Sequence, residues 1–234
     1  MKINKSEDFL MKVYNVAIDG PAGAGKSTVA RMAARELGFV YVDTGAMYRA
    51  LALAFFRRGI KPEEKERVLE VLPELSVTIA YQNGEQIVFL NGEDVTSLLR
   101  TQEIGNLASN FAPLLPVREK LRSLQQELAA RTSVVMDGRD IGTIVLPEAE
   151  VKIFLTADAK VRAARRFKEL CERGVSCDEG EILKEILARD LQDEQRENSP
   201  LTRAEDAVLV DASSLSAKEV AEKIVELVKG RCAL

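Results

Sequence analysis

Gly20-Pro21-Ala22-Gly23-Ala24-Gly25-Lys26-Ser27-Thr28 decides how the rest of the chain is read. The run follows the pattern G-x-x-x-x-G-K-[ST], and its flanks are the ones that give the pattern meaning. Ahead of it, Val13-Tyr14-Asn15-Val16-Ala17-Ile18 is apolar and reads as a buried strand. Behind it, Val29 to Leu37 is rich in Ala, Met, Arg and Leu and reads as a helix closed by Gly38. Glycines let a backbone turn its N–H groups inward around a phosphate, where a Cβ would crowd the anion. A helix N-terminus at the same point adds partial positive charge. Lys26 is then placed for β/γ-phosphates and the Ser27 hydroxyl for magnesium. The stretch implies a site for the phosphates of a nucleotide.

Composition narrows what such a site serves. A chain of 234 residues with 46% hydrophobic content suits one α/β domain with embellishments. A net charge of −4 argues against a broad basic surface for nucleic acid, so any cluster of arginines needs a local explanation. The chain has no histidine, which removes His general bases, triads and His metal ligands. Cys171, Cys177 and Cys232 are too few and too irregular for a disulfide framework or a zinc site, and they fit a reducing, cytoplasmic setting. Residues 1–11 read as a loose leader, with Met11 a second candidate start. No stretch approaches the roughly 20 apolar residues of a membrane span.

Strands and helices then alternate, which predicts a parallel sheet covered by helices on both faces. Phe39 to Val42 is a strand running into Asp43-Thr44-Gly45, and Ala46 to Arg57 is a helix stopped by Gly59. Ligands gather beyond the carboxyl ends of such strands, which places Asp43, Thr44 and Arg49 near the phosphate loop; on this ground alone Arg49 is also readable as a solvated helix charge. Pro62 to Leu72 reads as a helix with Pro at a tolerated first-turn position. Ser76 to Tyr81, a Gln82-Asn83-Gly84 turn and Glu85 to Leu90 then form a hairpin, with a further turn at Asn91-Gly92. An antiparallel piece in an alternating chain is an insertion, either decoration or a substrate clamp.

Thr101 to Asn110 and Pro116 to Arg131 read as helices joined through Pro113, and Ser133 to Asp137 as a strand ending in an acid. Phosphate-loop proteins use such an acid to position magnesium and its waters. Val151 to Leu155 is a strand and Asp158 to Arg173 a helix with Arg162, Arg165 and Arg166 on one face. Those three are either a solvated basic face or a lid that closes on transferring phosphates. Ser176 with Glu179 offers a capping box for the following helix, whose Arg189, Asp193 and Arg196 form one stripe. By spacing alone that stripe reads as surface. Ala207 to Val210 is the last strand, and Ser216 with Glu219 caps a final helix to Lys229.

Taken together, several segments resemble the bacterial cytidylate kinase family, over nearly the whole chain after Met11. They are Asp19 to Thr28, Asp43-Thr44-Gly45-Ala46-Met47-Tyr48-Arg49, Arg100-Thr101-Gln102-Glu103, Asn106-Leu107-Ala108-Ser109, Val117-Arg118, Asp137-Gly138-Arg139-Asp140-Ile141-Gly142-Thr143, Lys152-Ile153-Phe154-Leu155 and Arg189-Asp190. The resemblance implies a P-loop NTPase fold of the nucleoside-monophosphate-kinase type. Its five-stranded parallel sheet would be flanked by helices, with a CMP-binding antiparallel insertion at about 75–100 and a helical lid at about 158–180. It implies one kinase domain over 12–234, acting as a monomer without nucleic acid or membrane. The expected reaction is ATP- and Mg²⁺-dependent phosphorylation of CMP and dCMP.

The resemblance also implies roles by position. Gly20 to Thr28 would hold ATP, with Ser27 on magnesium and Asp137 behind it. Thr44, Arg49 and Arg139 would hold the acceptor phosphate, with Asp137 alongside. Ser109, Arg118 and Asp140 would read the base; Arg189 and Asp193 would meet the pentose, with Arg196 nearby. Lys26, Arg49, Arg139 and Arg196 would serve the transfer itself, and Arg162, Arg165 and Arg166 the lid. The chemistry agrees with such roles. Cytosine offers an amino donor beside two acceptors and uracil reverses the upper half of that pattern, so a carboxylate beside a guanidinium satisfies the first and leaves groups unpaired against the second. The attacking phosphate oxygen is already anionic, so the lack of histidine is no obstacle. Competing expectations are a kinase of another small acceptor, such as UMP or a sugar acid, and a nucleotide-operated switch; no Asp-x-x-Gly follows the phosphate loop to support the switch.

Overall fold

A computed structural model describes residues 12–232; the leader expected at 1–11 lies outside them. Its main sheet holds five strands: β1 (Asn15–Asp19), β2 (Val40–Asp43), β6 (Val134–Gly138), β7 (Val151–Thr156) and β8 (Val208–Asp211). They run in the order β2-β6-β1-β7-β8, and every neighbouring pair is parallel. Successive side chains on a strand face opposite ways, and the two sides of the sheet carry different cores. Ala17, Val42, Val134 and Met136 pack with helix α2 (Thr44–Arg57), with α4 (Gln102–Phe111) and α5 (Leu115–Ala129), and with the hairpin. Val16, Ile18, Val135, Ile153 and Leu155 pack with α1 (Lys26–Leu37) and α8 (Ala217–Cys232). The result is the P-loop nucleotide-binding fold, with the loop leaving the central strand.

The insertion is a three-stranded antiparallel sheet, β3 (Val77–Gln82), β4 (Glu85–Leu90) and β5 (Glu93–Asp94). Asn83 and Gly84 both have positive φ, 54° and 79°, the two-residue turn that suits the right-handed twist of a hairpin. Asn91 and Gly92 repeat the device before β5. Helices α6 (Ala159–Glu172) and α7 (Glu179–Gln195) form a hairpin with its own small core of Ala163, Ile182 and Ile186, apart from both main cores.

Two local expectations need correction. Helix α3 runs only over Lys65–Val71. Pro62 instead occupies the second position of a turn closed by Glu64 N–H donating to Lys61 O at 3.0 Å, where its fixed φ is equally at home. The cap of α7 is Asp178, whose carboxylate accepts from Glu181 N–H at 2.9 Å, and Ser176 does not cap. A charged acceptor at a helix N-terminus is favoured over a hydroxyl by the helix dipole. Past the end of β6 at Gly138, the chain forms a π-helical turn, Ile141–Val145.

Candidate active site

The first condition of the site is an uncapped helix. Helices α2, α4, α6 and α7 each begin with a side chain accepting from a first-turn N–H: Asp43, Thr101, Asp158 and Asp178. Helix α1 does not. It starts from Gly25 at φ 90°, with no side-chain cap among the described residues; Thr28 and Val29 N–H donate to Gly25 O at 3.1 Å, and no side chain takes up the N–H groups of Lys26 and Ser27 at the loop. Gly20 is equally constrained. A Cβ there would lie 1.9 Å from Leu155 O, which lets the loop leave β1 tight against β7. Lys26 begins the helix, buried, its Nζ donating to Pro21 O at 2.7 Å across the loop. Burial, then the neighbouring Arg139 cation, push the Lys26 ammonium well below its usual pKa.

One cleft of about 590 Å³ runs over this helix end, and all the anticipated site residues except Gly20 and Pro21 line it. Ser27 Oγ donates to Asp137 Oδ2 at 2.9 Å, and Tyr41 donates to Asp137 Oδ1 at 2.9 Å. Burial and the Asp43 charge push Asp137 up to about 6, against the pull of Lys26 and its two hydroxyl donors. Thr44 spends its hydroxyl on Asp137 O at 2.7 Å. Arg49 pairs with Asp43 at 3.0 Å, and Arg139 Nε donates to Asp193 Oδ2 at 2.7 Å. Arg196 lies 3.5 Å from Asp193 Oδ1 and donates from Nε to Ser199 O. The anticipated stripe on α7 therefore faces the cleft rather than solvent.

Positive charge outweighs negative in this arm. Arg49, Arg139, Arg189 and Arg196 converge near Asp193, and three of them keep a buried N–H with no acceptor among the described residues: Arg49 Nε, Arg189 Nε and one terminal nitrogen of Arg196. Buried donors left without partners are costly and rare in folded proteins. Burial together with the Arg139 cation pushes Arg189 down to about 10, and burial together with Arg118 lowers Arg196. Burial would raise Asp193, but Arg139 and its neighbours hold it below the usual carboxylate range. The arrangement is one that an added polyanion would complete.

Farther along, Arg118 and Asp140 form a buried pair at 2.5 Å. Arg118 also donates to Ser199 Oγ at 3.1 Å and Ala112 O at 2.9 Å, so its plane is fixed. Burial works against the Arg118 charge, yet Tyr48 and Asp140 hold its pKa above the usual value. Ser109 lines the same end of the cleft from α4, its hydroxyl donating back to Gly105 O at 3.2 Å.

The lid arginines differ from one another. Arg162 is buried and pinned: Nε donates to Ala157 O and one terminal nitrogen to Ala22 O, both at 2.8 Å, and it lies 2.6 Å from Asp190. Asp190 in turn accepts from Ala22 N–H at 3.2 Å, so the pair clasps both backbone groups of a phosphate-loop residue. Arg165 donates to Ala212 O at 2.6 Å, whereas Arg166 reaches only surface partners, Glu169 and Gln102. Sequence reasoning assigned no role to Asp190, to Tyr41 or to Gln86, which pairs by both amide atoms with the backbone of Asp43 at 2.9 and 3.2 Å. It also passed over Asp19, although an acid at a strand end beside a glycine turn is the same signal that singled out Asp137.

Residues 16–230 match the model of the cytidylate kinase family. A cytidylate kinase of Caldicellulosiruptor saccharolyticus is 51% identical over 217 residues, covering 93% of this chain and 96% of that protein. One from Streptococcus pneumoniae (strain 70585) is 48% identical over 215 residues, covering 92% and 96%. Among solved structures, an uncharacterized protein from Eubacterium ventriosum covers 94% of this chain and 100% of its own with a TM-score of 0.52 at 14% identity, a likeness of fold alone. With a matching family model over most of its length and relatives at about half identity, this chain belongs to the cytidylate kinase family.

Proposed function

We propose that the chain transfers the γ-phosphoryl group of ATP to CMP and dCMP, giving the diphosphates by direct in-line displacement. The observation that carries this reading is the set of unpaired, buried arginine N–H groups on Arg49, Arg189 and Arg196 facing the same cleft as the uncapped end of α1. Two phosphate-bearing ligands meeting there would supply the missing acceptors and the missing negative charge.

In this account Gly23 to Thr28 wrap the donor phosphates with backbone N–H groups, and Lys26 leaves Pro21 O for the β/γ-oxygens. Arg49 and Arg139 hold the acceptor phosphate beside Thr44, and Arg196 neutralises charge that spreads over the transferring group. Arg189 and Asp193 meet the pentose. The acceptor oxygen is an anion at neutral pH, so no residue has to remove a proton. The work left to the protein is alignment, neutralisation and exclusion of water.

Magnesium fits the residues present. Among the described residues no group of three or more acidic, Cys or His side chains gathers to hold a metal, but Mg²⁺ commonly takes only one or two protein oxygens beside phosphates and waters. Ser27 Oγ and the Asp137 carboxylate, 2.9 Å apart at the loop, are the oxygens that would hold it directly and through water. An ion held by these oxygens would supply positive charge to the donor phosphates.

Arg118 and Asp140 read the base. Asp140 gives Oδ2 to Arg118, and Oδ1, without a donor among the described residues, is left for an exocyclic amine. Cytosine has that amine and uracil has a carbonyl in its place, which would face the carboxylate with no proton between. The test is a coupled assay of ADP release with CMP, dCMP, UMP and AMP as acceptors. CMP and dCMP should turn over, with UMP at least about tenfold poorer in kcat/KM; equal rates for UMP would overturn the cytosine assignment, and no turnover with any acceptor would favour a nucleotide switch.

A further inference from the structure

Asp19 is the last residue of β1, one position before the phosphate loop, and it is buried. It is not among the residues lining the cleft. Its Oδ1 accepts from Ile141 N–H at 2.8 Å and its Oδ2 from Gly142 N–H at 2.7 Å. These are the first N–H groups of the π-helical turn Ile141–Val145, the groups that a helix leaves unpaired at its start. From the other side, Asp140 O accepts from Ile144 N–H at 2.9 Å and Val145 N–H at 3.1 Å. The peptide that follows Asp140 is thus tied at both of its polar groups, its carbonyl by Ile144 and Val145 and its N–H by Asp19. π-Helical turns are uncommon and gather at functional sites.

The fit leaves little slack. A Cβ on Gly142 would stand 3.2 Å from Lys152 Cδ and 3.4 Å from Asp19 Oδ2. Arg118 is fixed by bonds from all three nitrogens, so the alignment of the Arg118–Asp140 pair depends on where the turn sets Asp140. We propose that Asp19 is a positioning residue for the acceptor base: from the strand that launches the phosphate loop, its carboxylate fixes the turn that presents Asp140 and thereby sets the preference for cytosine. The inference rests on the proposed role of Arg118 and Asp140 in base recognition. It ties the two ends of the reaction to one residue, since the backbone of Asp19 leads into the donor loop while its side chain holds the acceptor reader.

The test is Asp19→Asn, close in shape but with one oxygen and an amino group that faces the second N–H. Steady-state kinetics on CMP, UMP and ATP should show KM for CMP raised about tenfold, the ratio of kcat/KM for CMP over UMP lowered about tenfold, and KM for ATP within about twofold of the parent. A purely structural acid would leave the CMP-to-UMP ratio unmoved. An unchanged ratio, or equal rises in the CMP and ATP constants, overturns the proposal. Should Asp19→Asn fail to fold, Asp19→Glu keeps both acceptor oxygens but displaces them by one methylene from the Ile141 and Gly142 N–H groups, and the same two outcomes decide. The parent enzyme is assayed first: if it does not prefer CMP to UMP, the base-reading account fails before Asp19 is at issue.

Discussion

Arg118→Met is the substitution whose consequences follow most fully from the geometry. The guanidinium is 6% exposed and faces an Asp140 carboxylate that is 8% exposed. Methionine fills much of the same volume but leaves Asp140 as a buried charge without its cation. Breaking a buried pair from one side costs about 3–5 kcal/mol of stability. The bond lost to a cytosine acceptor is charge-assisted, worth about 1.5–3 kcal/mol, which is roughly ten- to hundredfold in CMP affinity. On the proposed reading the donor phosphates bind at the other end of the cleft, so a non-hydrolysable ATP analogue should bind within about twofold of the parent value. Calorimetric titration with each nucleotide reads the binding terms, and denaturant unfolding reads the stability term. Adding Asp140→Asn to Arg118→Met removes the stranded charge, so the double variant should regain much of the lost stability while CMP binding stays weak. Equal weakening of both nucleotides would show that Arg118 does not read the base, and unfolding midpoints that simply add would show that the pair is not coupled.

Lys26→Ala should lower turnover by several orders of magnitude with an unchanged circular dichroism spectrum and no loss of thermal stability, because the cation it removes is buried and held below its usual pKa; near-normal turnover would take Lys26 out of the mechanism. Burial, opposed by the two backbone bonds, raises Asp19 from 3.8 to about 6, a displacement worth roughly 3 kcal/mol. A raised pKa contributes stability that is fully present below 3.8 and is lost as pH rises through about 6; unfolding free energies of the parent, relative to Asp19→Asn, should therefore fall across that window, and parallel curves would refute it. Gln86→Ala removes the amide that grips the backbone of Asp43, the partner of Arg49. It should raise KM for CMP several-fold with KM for ATP unchanged, and an effect on ATP alone would contradict the link from hairpin to acceptor arm.

Much of this architecture is legible because it is written in local chemistry. The phosphate loop announces itself by glycines that only a particular backbone path requires, and Asn83-Gly84 announces its hairpin for the same reason. The two faces of the sheet follow from alternation along strands such as Val16-Ala17-Ile18. The stripe Arg189, Asp193 and Arg196 was visible as a stripe, but spacing on one helix says nothing about what the helix faces, and only tertiary packing turns it toward Lys26. The contacts that escaped reading are long-range ones. Asp19 meets Ile141 and Gly142 across 122 and 123 positions, and Arg162 meets Ala22 across 140. A buried Arg162 in particular defies the expectation for a run of arginines on a helix, because its cost of burial is offset by Asp190 and two carbonyls that no local pattern predicts. The Pro62 and Ser176 corrections are smaller in kind: each residue suits a helix start, and a neighbouring turn or a stronger carboxylate cap claimed the position instead.

The central claim is that donor and acceptor lie end to end in one cleft, with their phosphates meeting over α1. A bisubstrate analogue, adenosine joined to cytidine through a polyphosphate bridge, tests that arrangement directly in a competition titration against ATP and CMP. The account predicts a single site per chain, affinity well above that of either nucleotide, and displacement of the analogue by each of them. An analogue that only one of the two nucleotides displaces, or that binds no more tightly than ATP alone, would contradict it.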